Sequence, residues 1–170
     1  MAVDETRGIT TRDREPKLFA TGDERFSNAQ PSPVKGTPPD NWLVLPAKQF
    51  RELNYRFGES GEVYVTLAAG SVGDNVNRWM RQFGRDPLAP AELDALVKTP
   101  IAGTEGVWVE AEGAYASGMG AAEKPGQALA GVIADLGGRI VTLKMVGAAA
   151  EVAEEKDALR KFAASLKLAH

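Results

Sequence analysis

Val76, Trp79, Met80 and Phe83 stand at i, i+3, i+4 and i+7, which puts them on one stripe of an α-helix. Asp74 just ahead of the stripe is the expected N-cap and Gly84 just behind it the expected C′ residue. Before this helix the period changes to two. Leu53, Tyr55 and Phe57 alternate with Glu52, Asn54 and Arg56, and Val63, Val65 and Leu67 alternate with polar positions over 62–68. Gly58-Glu-Ser-Gly61 between the two runs makes them a hairpin. Trp42, Val44 and Pro46 lead in as a short edge strand or an extended segment, where proline is tolerated.

Beyond the helix, Pro90 is set as the first residue of a second one over 90–97, with Leu93, Leu96 and Val97 on its inner side. A strand is predicted at 98–102, a turn at Gly103-Thr-Glu-Gly106, and a longer strand at 107–115. In that strand Val107, Val109 and Ala111 point one way and Trp108, Glu110 and Glu112 the other. The small, Gly-rich stretch 117–127 reads as a loop. Two apolar runs, 128–135 and 139–146, flank Leu136-Gly-Gly138 as a second hairpin. Residues 148–168 are rich in helix formers and place Val152, Leu159, Phe162, Ala163 and Leu166 on one stripe, with charges opposite. Hairpin, helices, strands, hairpin, helix is an α+β order: an antiparallel sheet with helices on both faces.

Residues 1–40 carry neither period and close on Pro31, Pro33, Pro38 and Pro39. Such a segment buries too little apolar surface to offset the entropy of ordering it. The division expected is an extended or disordered N-terminal arm at 1–40 and a sandwich domain at 41–170. Leu18, Phe19 and Phe26 are the arm's candidate anchors on a partner, each contributing roughly 1.5–3 kcal/mol if buried.

Composition narrows the chemistry. With 170 residues, 44% hydrophobic and 25% charged, the chain is sized for one ordinary domain, or one domain plus an extension. A net charge of −3 supplies no basic field for nucleic acid, so none is expected as a partner. There is no cysteine, which removes disulfides, iron–sulfur clusters and thiol nucleophiles. The only histidine is His170, so a His-based triad or metal site would have to be built at the chain's last residue. No apolar run reaches the roughly 18–20 residues that span a bilayer. The expectation is a chain with no catalytic set, no metal and no cofactor. Its compartment is expected to be periplasmic or exported if the chain is a mature form, and cytoplasmic otherwise.

Three stretches invite chemistry. Gly118-Met-Gly120 lacks the third glycine or the Lys-Ser/Thr pair of a phosphate loop. Gly70-Ser-Val-Gly73 leads into a helix N-terminus, but Asp74 there repels an anion. Glu110 and Glu112 share one strand face without the cleft that carboxylate catalysis requires, so a solvated or arginine-paired face is the plainer reading. The polar face of the first helix holds Asn75, Arg78 and Gln82, with Arg81 beside them. It is either an ordinary solvated face or a surface for carbonyls and carboxylates.

Asp74-Asn-Val-Asn-Arg-Trp79 with Gln82, together with the junction Leu143-Lys-Met-Val-Gly-Ala-Ala-Ala-Glu-Val-Ala-Glu-Glu-Lys-Asp157, resembles a group of bacterial proteins, often exported or lipid-anchored. They carry an NVNRW helix and a K-x-x-G-x-x-x-x-V-x-x-x-K strand-to-helix junction. That group is similar in plan to the PsbP/Mog1 α/β/α sandwich, and the resemblance covers 42–168. It implies an accessory, partner-binding role rather than catalysis. The function expected first is therefore a non-catalytic accessory or assembly subunit docking on a larger, possibly membrane-associated complex, with Leu18, Phe19, Phe26, Asn75, Arg78 and Gln82 as partner-binding residues. The alternative is a small-ligand-binding domain with its pocket between the 74–83 helix and the sheet, near Arg78, Trp108 and Tyr115.

Overall fold

The computed structural model describes residues 33–168, apart from Gln49 and Met119. Seven strands form one antiparallel sheet: β2 (Leu43–Leu45), β3 (Leu53–Phe57), β4 (Gly61–Ala68), β5 (Lys98–Ile101), β6 (Thr104–Tyr115), β7 (Lys124–Asp135) and β8 (Ile140–Ala148). Their spatial order is β2-β3-β4-β8-β7-β6-β5. Among the described residues three helices accompany it: α1 (Val72–Gln82), α2 (Pro90–Asp94) and α3 (Ala149–Ser165). The α+β class with helices on both faces is the one the periodicities predict. No helix among the described residues is long and apolar enough to cross a membrane.

Several boundaries differ from the sequence expectation, each for a local reason. Ser71, not Asp74, caps α1: its Oγ accepts the amide of Asp74 at 3.1 Å, and the cap stands three residues earlier than expected. Asp74 then sits in the first turn, where its charge favours the helix dipole. The β5–β6 turn is the two-residue pair Ala102-Gly103, both at positive φ, so β6 starts at Thr104. α2 stops at Asp94 and leaves Val97 67% exposed instead of inward. β7 begins at Lys124 and takes in residues expected in the loop.

The C-terminal helix also ends sooner. Leu166 turns extended after Ser165, and β9 (Lys167–Leu168) pairs antiparallel with β1 (Val34–Lys35). Backbone pairing with a distant segment overrides the helix propensity of 166–168. Val34 is fully buried in this pairing, so the compact unit begins at Pro33, ahead of Asn41. Leu18, Phe19 and Phe26 lie outside the described residues.

The two faces of the sheet are closed differently. On the α3 face Trp42, Tyr55 and Phe162 meet at ring-centroid distances of 5.1–5.7 Å, over Val63, Val65, Leu143 and Met145. Trp42 Nε1 donates to Glu155 Oε1 at 2.7 Å, so the indole's polar edge is satisfied. On the opposite face Val76, Trp79, Met80 and Phe83 of α1 pack on Val109, Leu129, Ile133 and Ile140. Trp79 reaches closest at Gly131 of β7. A Cβ there would stand 2.7 Å from the indole ring and 2.6 Å from the carbonyl oxygen of Leu143. Gly131→Ala is therefore expected to destabilise the fold by about 1–3 kcal/mol, read as a lower urea midpoint at unchanged slope.

Candidate functional site

α1 packs on β6 and β7, and a cleft opens beside it over β4 and β8. The antiparallel register decides which side chains form its floor. Glu62, Tyr64 and Thr66 of β4 lie opposite Val146, Lys144 and Thr142 of β8. Alternation sends these six to the α1 side and Val63, Val65, Leu143 and Met145 to the α3 core. Arg78, Trp79 and Gln82 of α1 form one wall. Tyr115 and Ser117, at and just beyond the end of β6, and Phe50 and Arg51, ahead of β3, complete it around about 590 Å³.

Lys144 is the buried charge of this cleft, with only 3% of its surface exposed. Its Nζ donates to Gln82 Oε1 at 2.6 Å and lies 3.2 Å from Tyr115 Oη. Gln82 Nε2 donates in turn to the carbonyl of Ser117 at 3.1 Å, which holds the amide oxygen toward the lysine. The rings of Tyr115, Trp79 and Tyr64 surround Nζ at 5.2–5.9 Å. Both hydrogen-bond partners are neutral. Among the described residues no carboxylate stands within ion-pair distance of Lys144 or of Arg78. Burial, then the positive charges of Arg78 and Arg51, bring the Lys144 ammonium down to a pKa of about 7, against an opposing pull from Glu62.

The other polar groups are ordered around it. Arg51 Nη1 pairs with Glu62 Oε1 at 2.7 Å, and the guanidinium lies 3.7 Å over the Tyr64 ring. Arg78 Nη2 donates to Asn75 Oδ1 at 2.9 Å, while Asn75 Nδ2 is buried without a partner among the described residues. The Thr66 and Thr142 hydroxyls meet at 2.6 Å. Burial raises the Tyr64 phenol, and it raises Tyr115 to about 12, so both remain neutral at ordinary pH. Phe50 takes a left-handed φ of 69° in the tight turn between Lys48 and Arg51, and stands 78% exposed at the rim. Among the described residues Arg51, Arg78 and Lys144 line the cleft against the carboxylate of Glu62, a basic excess suited to an anion. Among the described residues no three His, Asp or Glu side chains converge to hold a metal ion.

Of the residues singled out in the sequence, Arg78, Gln82 and Tyr115 come together here, with Asn75 behind Arg78. Trp108 does not join them. It lies on the α3 face, where Nε1 donates to Glu110 Oε2 at 2.5 Å and the Arg160 guanidinium sits 4.2 Å over the ring. The same alternation that turns Val107 and Val109 toward α1 excludes Trp108 from that side. Glu110 is taken by Lys156 at 2.8 Å on the α3 side, so lysine rather than arginine pairs it. Leu18, Phe19 and Phe26 are not among the described residues.

Sequence reasoning passed over Lys144, Tyr64, Arg51 and Thr142. A signal existed for the first. Lys144 is the one charge inside the apolar run 140–146, on a strand expected to be interior, and it opens the strand-to-helix junction on which the family resemblance rests. That junction and the 74–83 helix meet at the Lys144–Gln82 contact.

No protein-family model matches the chain, and neither does any curated protein. Solved structures do resemble it. The solution structure of cyanobacterial PsbP (CyanoP) from Synechocystis sp. PCC 6803 is similar over 83% of this chain and 95% of its own, at 10% identity and a TM-score of 0.47. LpqN, involved in cell envelope biogenesis of Mycobacterium tuberculosis, is similar over 81% of this chain and 83% of its own, at 14% identity and a TM-score of 0.46. A protein of Bacteroides thetaiotaomicron VPI-5482 is similar over 81% of this chain, at 11% identity and a TM-score of 0.48, and the match spans 46% of that longer chain.

The buried lysine has a measurable consequence for stability. Its folded pKa of about 7 lies below its ordinary 10.5, so the unfolded chain binds more protons between those values. Stability therefore rises with pH from about 7 toward 10 through this group, and falls back as pH drops to 7. Urea titrations between pH 7 and 9.5 are expected to show that rise. The interval stops short of the tyrosine titration. Lys144→Met should abolish the slope and stabilise the chain at pH 6.5 by on the order of 3 kcal/mol.

Proposed function

We propose that this chain is a non-catalytic accessory module that holds a small anionic ligand in the cleft between α1 and strands β4 and β8. One observation carries the reading. Lys144 at the floor and Arg78 on the wall lack a carboxylate partner among the described residues, and both border a cleft of about 590 Å³. Lys144 is the buried one of the two, and a cation buried without a counter-charge costs free energy that a bound anion offsets, while Arg78 stands exposed at the wall to meet it. The arrangement orients and holds: Arg78 and Arg51 are fixed cations, Gln82 and Tyr115 are neutral, and Lys144 carries its charge on the acid side of about pH 7. Calorimetry with a panel of small mono- and dicarboxylates and inorganic phosphate tests it. At least one class is expected to bind, and Arg78→Ala to weaken that binding about tenfold or more, the worth of a charge-assisted hydrogen bond. Absence of heat with every anion, or unchanged affinity in Arg78→Ala, would sink the reading.

A second reading has its own support. β2 is an edge strand, and its Leu43 and Val44 are 58% and 66% exposed. An apolar edge of this kind suits docking on a larger protein complex. In that role Leu18, Phe19 and Phe26 would anchor the arm, and the Asn75, Arg78 and Gln82 face would meet the partner. The compartment and any membrane association of that complex belong to the same proposal. Removal of residues 1–32, which spares the β1–β9 pairing, is expected to leave a cooperatively folding domain that no longer co-purifies with its complex. Co-purification of the truncated chain with the same partners as the full chain would remove the arm as anchor.

A further inference from the structure

We propose that Lys144 captures 2-oxo acids as a reversible imine, with the acid's carboxylate held by Arg78. The inference rests on the reading of the cleft as an anion site and adds the ligand's reactive group. A 2-oxo acid carries its electrophilic carbonyl directly beside a carboxylate. It therefore needs an amine and a fixed cation facing one small space, and the cleft supplies both. Arg78 and Gln82 stand at i, i+4 on α1 and so share a helix face. Gln82 Oε1 holds Nζ of Lys144 at 2.6 Å, so the amine is tied to the face that carries the guanidinium.

Three further conditions for imine chemistry are met around Nζ. The amine must be partly unprotonated near neutral pH, and burial with Arg78 and Arg51 on the same cleft brings this about against Glu62. A proton donor must stand near the oxygen that leaves. The Tyr115 hydroxyl is 3.2 Å from Nζ and remains protonated at ordinary pH. Water must be limited without blocking entry. The rings of Tyr64, Trp79 and Tyr115 surround Nζ at 5.2–5.9 Å, while the cleft stays open past Phe50.

The step balances with no oxidant or reductant. The Nζ lone pair adds to the carbonyl carbon, and the π electrons move to the oxygen, which takes a proton. The carbinolamine then loses that oxygen as water while nitrogen and carbon form a double bond. One amine, one carbonyl compound and one proton become an iminium and one water. Hydrolysis reverses every step, so this is capture and release, not turnover. Tyr115 hands a proton to the departing oxygen and is re-protonated from solvent. A carbonyl compound without a carboxylate lacks the Arg78 contact and is captured poorly.

The experiment incubates the full chain with pyruvate and sodium cyanoborohydride, followed by intact mass and peptide mapping. Lactate, which has the carboxylate but no carbonyl, is titrated in parallel by calorimetry. The expected result is one reduced adduct per chain, mapped to Lys144 and competed away by lactate. The adduct is expected to be lost in Lys144→Met and formed about tenfold more slowly or less in Arg78→Ala, which keeps the amine. Circular dichroism establishes that each variant is folded. Lactate binding without an adduct overturns the imine and leaves the anion site standing. Adducts spread over other lysines, at the same rate in Lys144→Met, overturn it as well. No binding of either acid, with no adduct, removes this inference and its carboxylate ligand together; phosphate binding in the wider panel then decides the anion site separately.

Discussion

The close approach of Trp79 to Gly131 governs where everything on one face of the sheet can stand. An indole seated where β7 has no side chain draws α1 down onto β6 and β7, and the glycine is required because a Cβ would meet both the ring and the carbonyl of Leu143. A helix held over that half of the sheet leaves the α1 side of β4 and β8 to form a cleft. Gly131 is also the cross-strand neighbour of Lys144, whose other neighbour is Tyr64. The same absent side chain thus admits the tryptophan and sets the environment of the lysine beside it.

The two lysines of the strand-to-helix junction show how burial separates identical residues. Lys156 stands on the α3 side and meets Glu110 at 2.8 Å, with both side chains partly in solvent. Such a pair contributes about 0–1 kcal/mol and needs no explanation beyond a solvated helix face. Lys144 points through the other face of the sheet into the cleft, among three aromatic rings and two neutral oxygens. A buried ammonium held that way is a liability for folding.

Much of the fold was legible from periodicity. The Val76–Trp79–Met80–Phe83 stripe, the two hairpins and the Val152–Leu166 stripe all emerged as packing surfaces because they repeat over several turns or pairs. The boundaries that moved were set by single contacts: the Ser71 cap, the Ala102-Gly103 turn and the β1–β9 pairing that ends α3. Of the cleft, Arg78, Gln82 and Tyr115 were visible as polar or aromatic positions near one helix. Trp108 was grouped with them although its own strand alternation already placed it on the other side. Periodicity shows Glu62, Tyr64 and Thr66 only as the face of β4 opposite Val63 and Val65.

The amino-acid sequence by itself determined which side chains share a face, because strand and helix periods are local properties of the backbone. It therefore determined the α+β class, the apolar stripes and the polar line 62, 64, 66. Only the tertiary structure decided that this line lies beside Thr142, Lys144 and Val146, and that α1 stops short of covering it. Strand order and register join residues far apart in the chain, as with Lys144 and Gln82, 62 positions apart. No periodicity encodes that meeting, and the candidate site exists only where it happens.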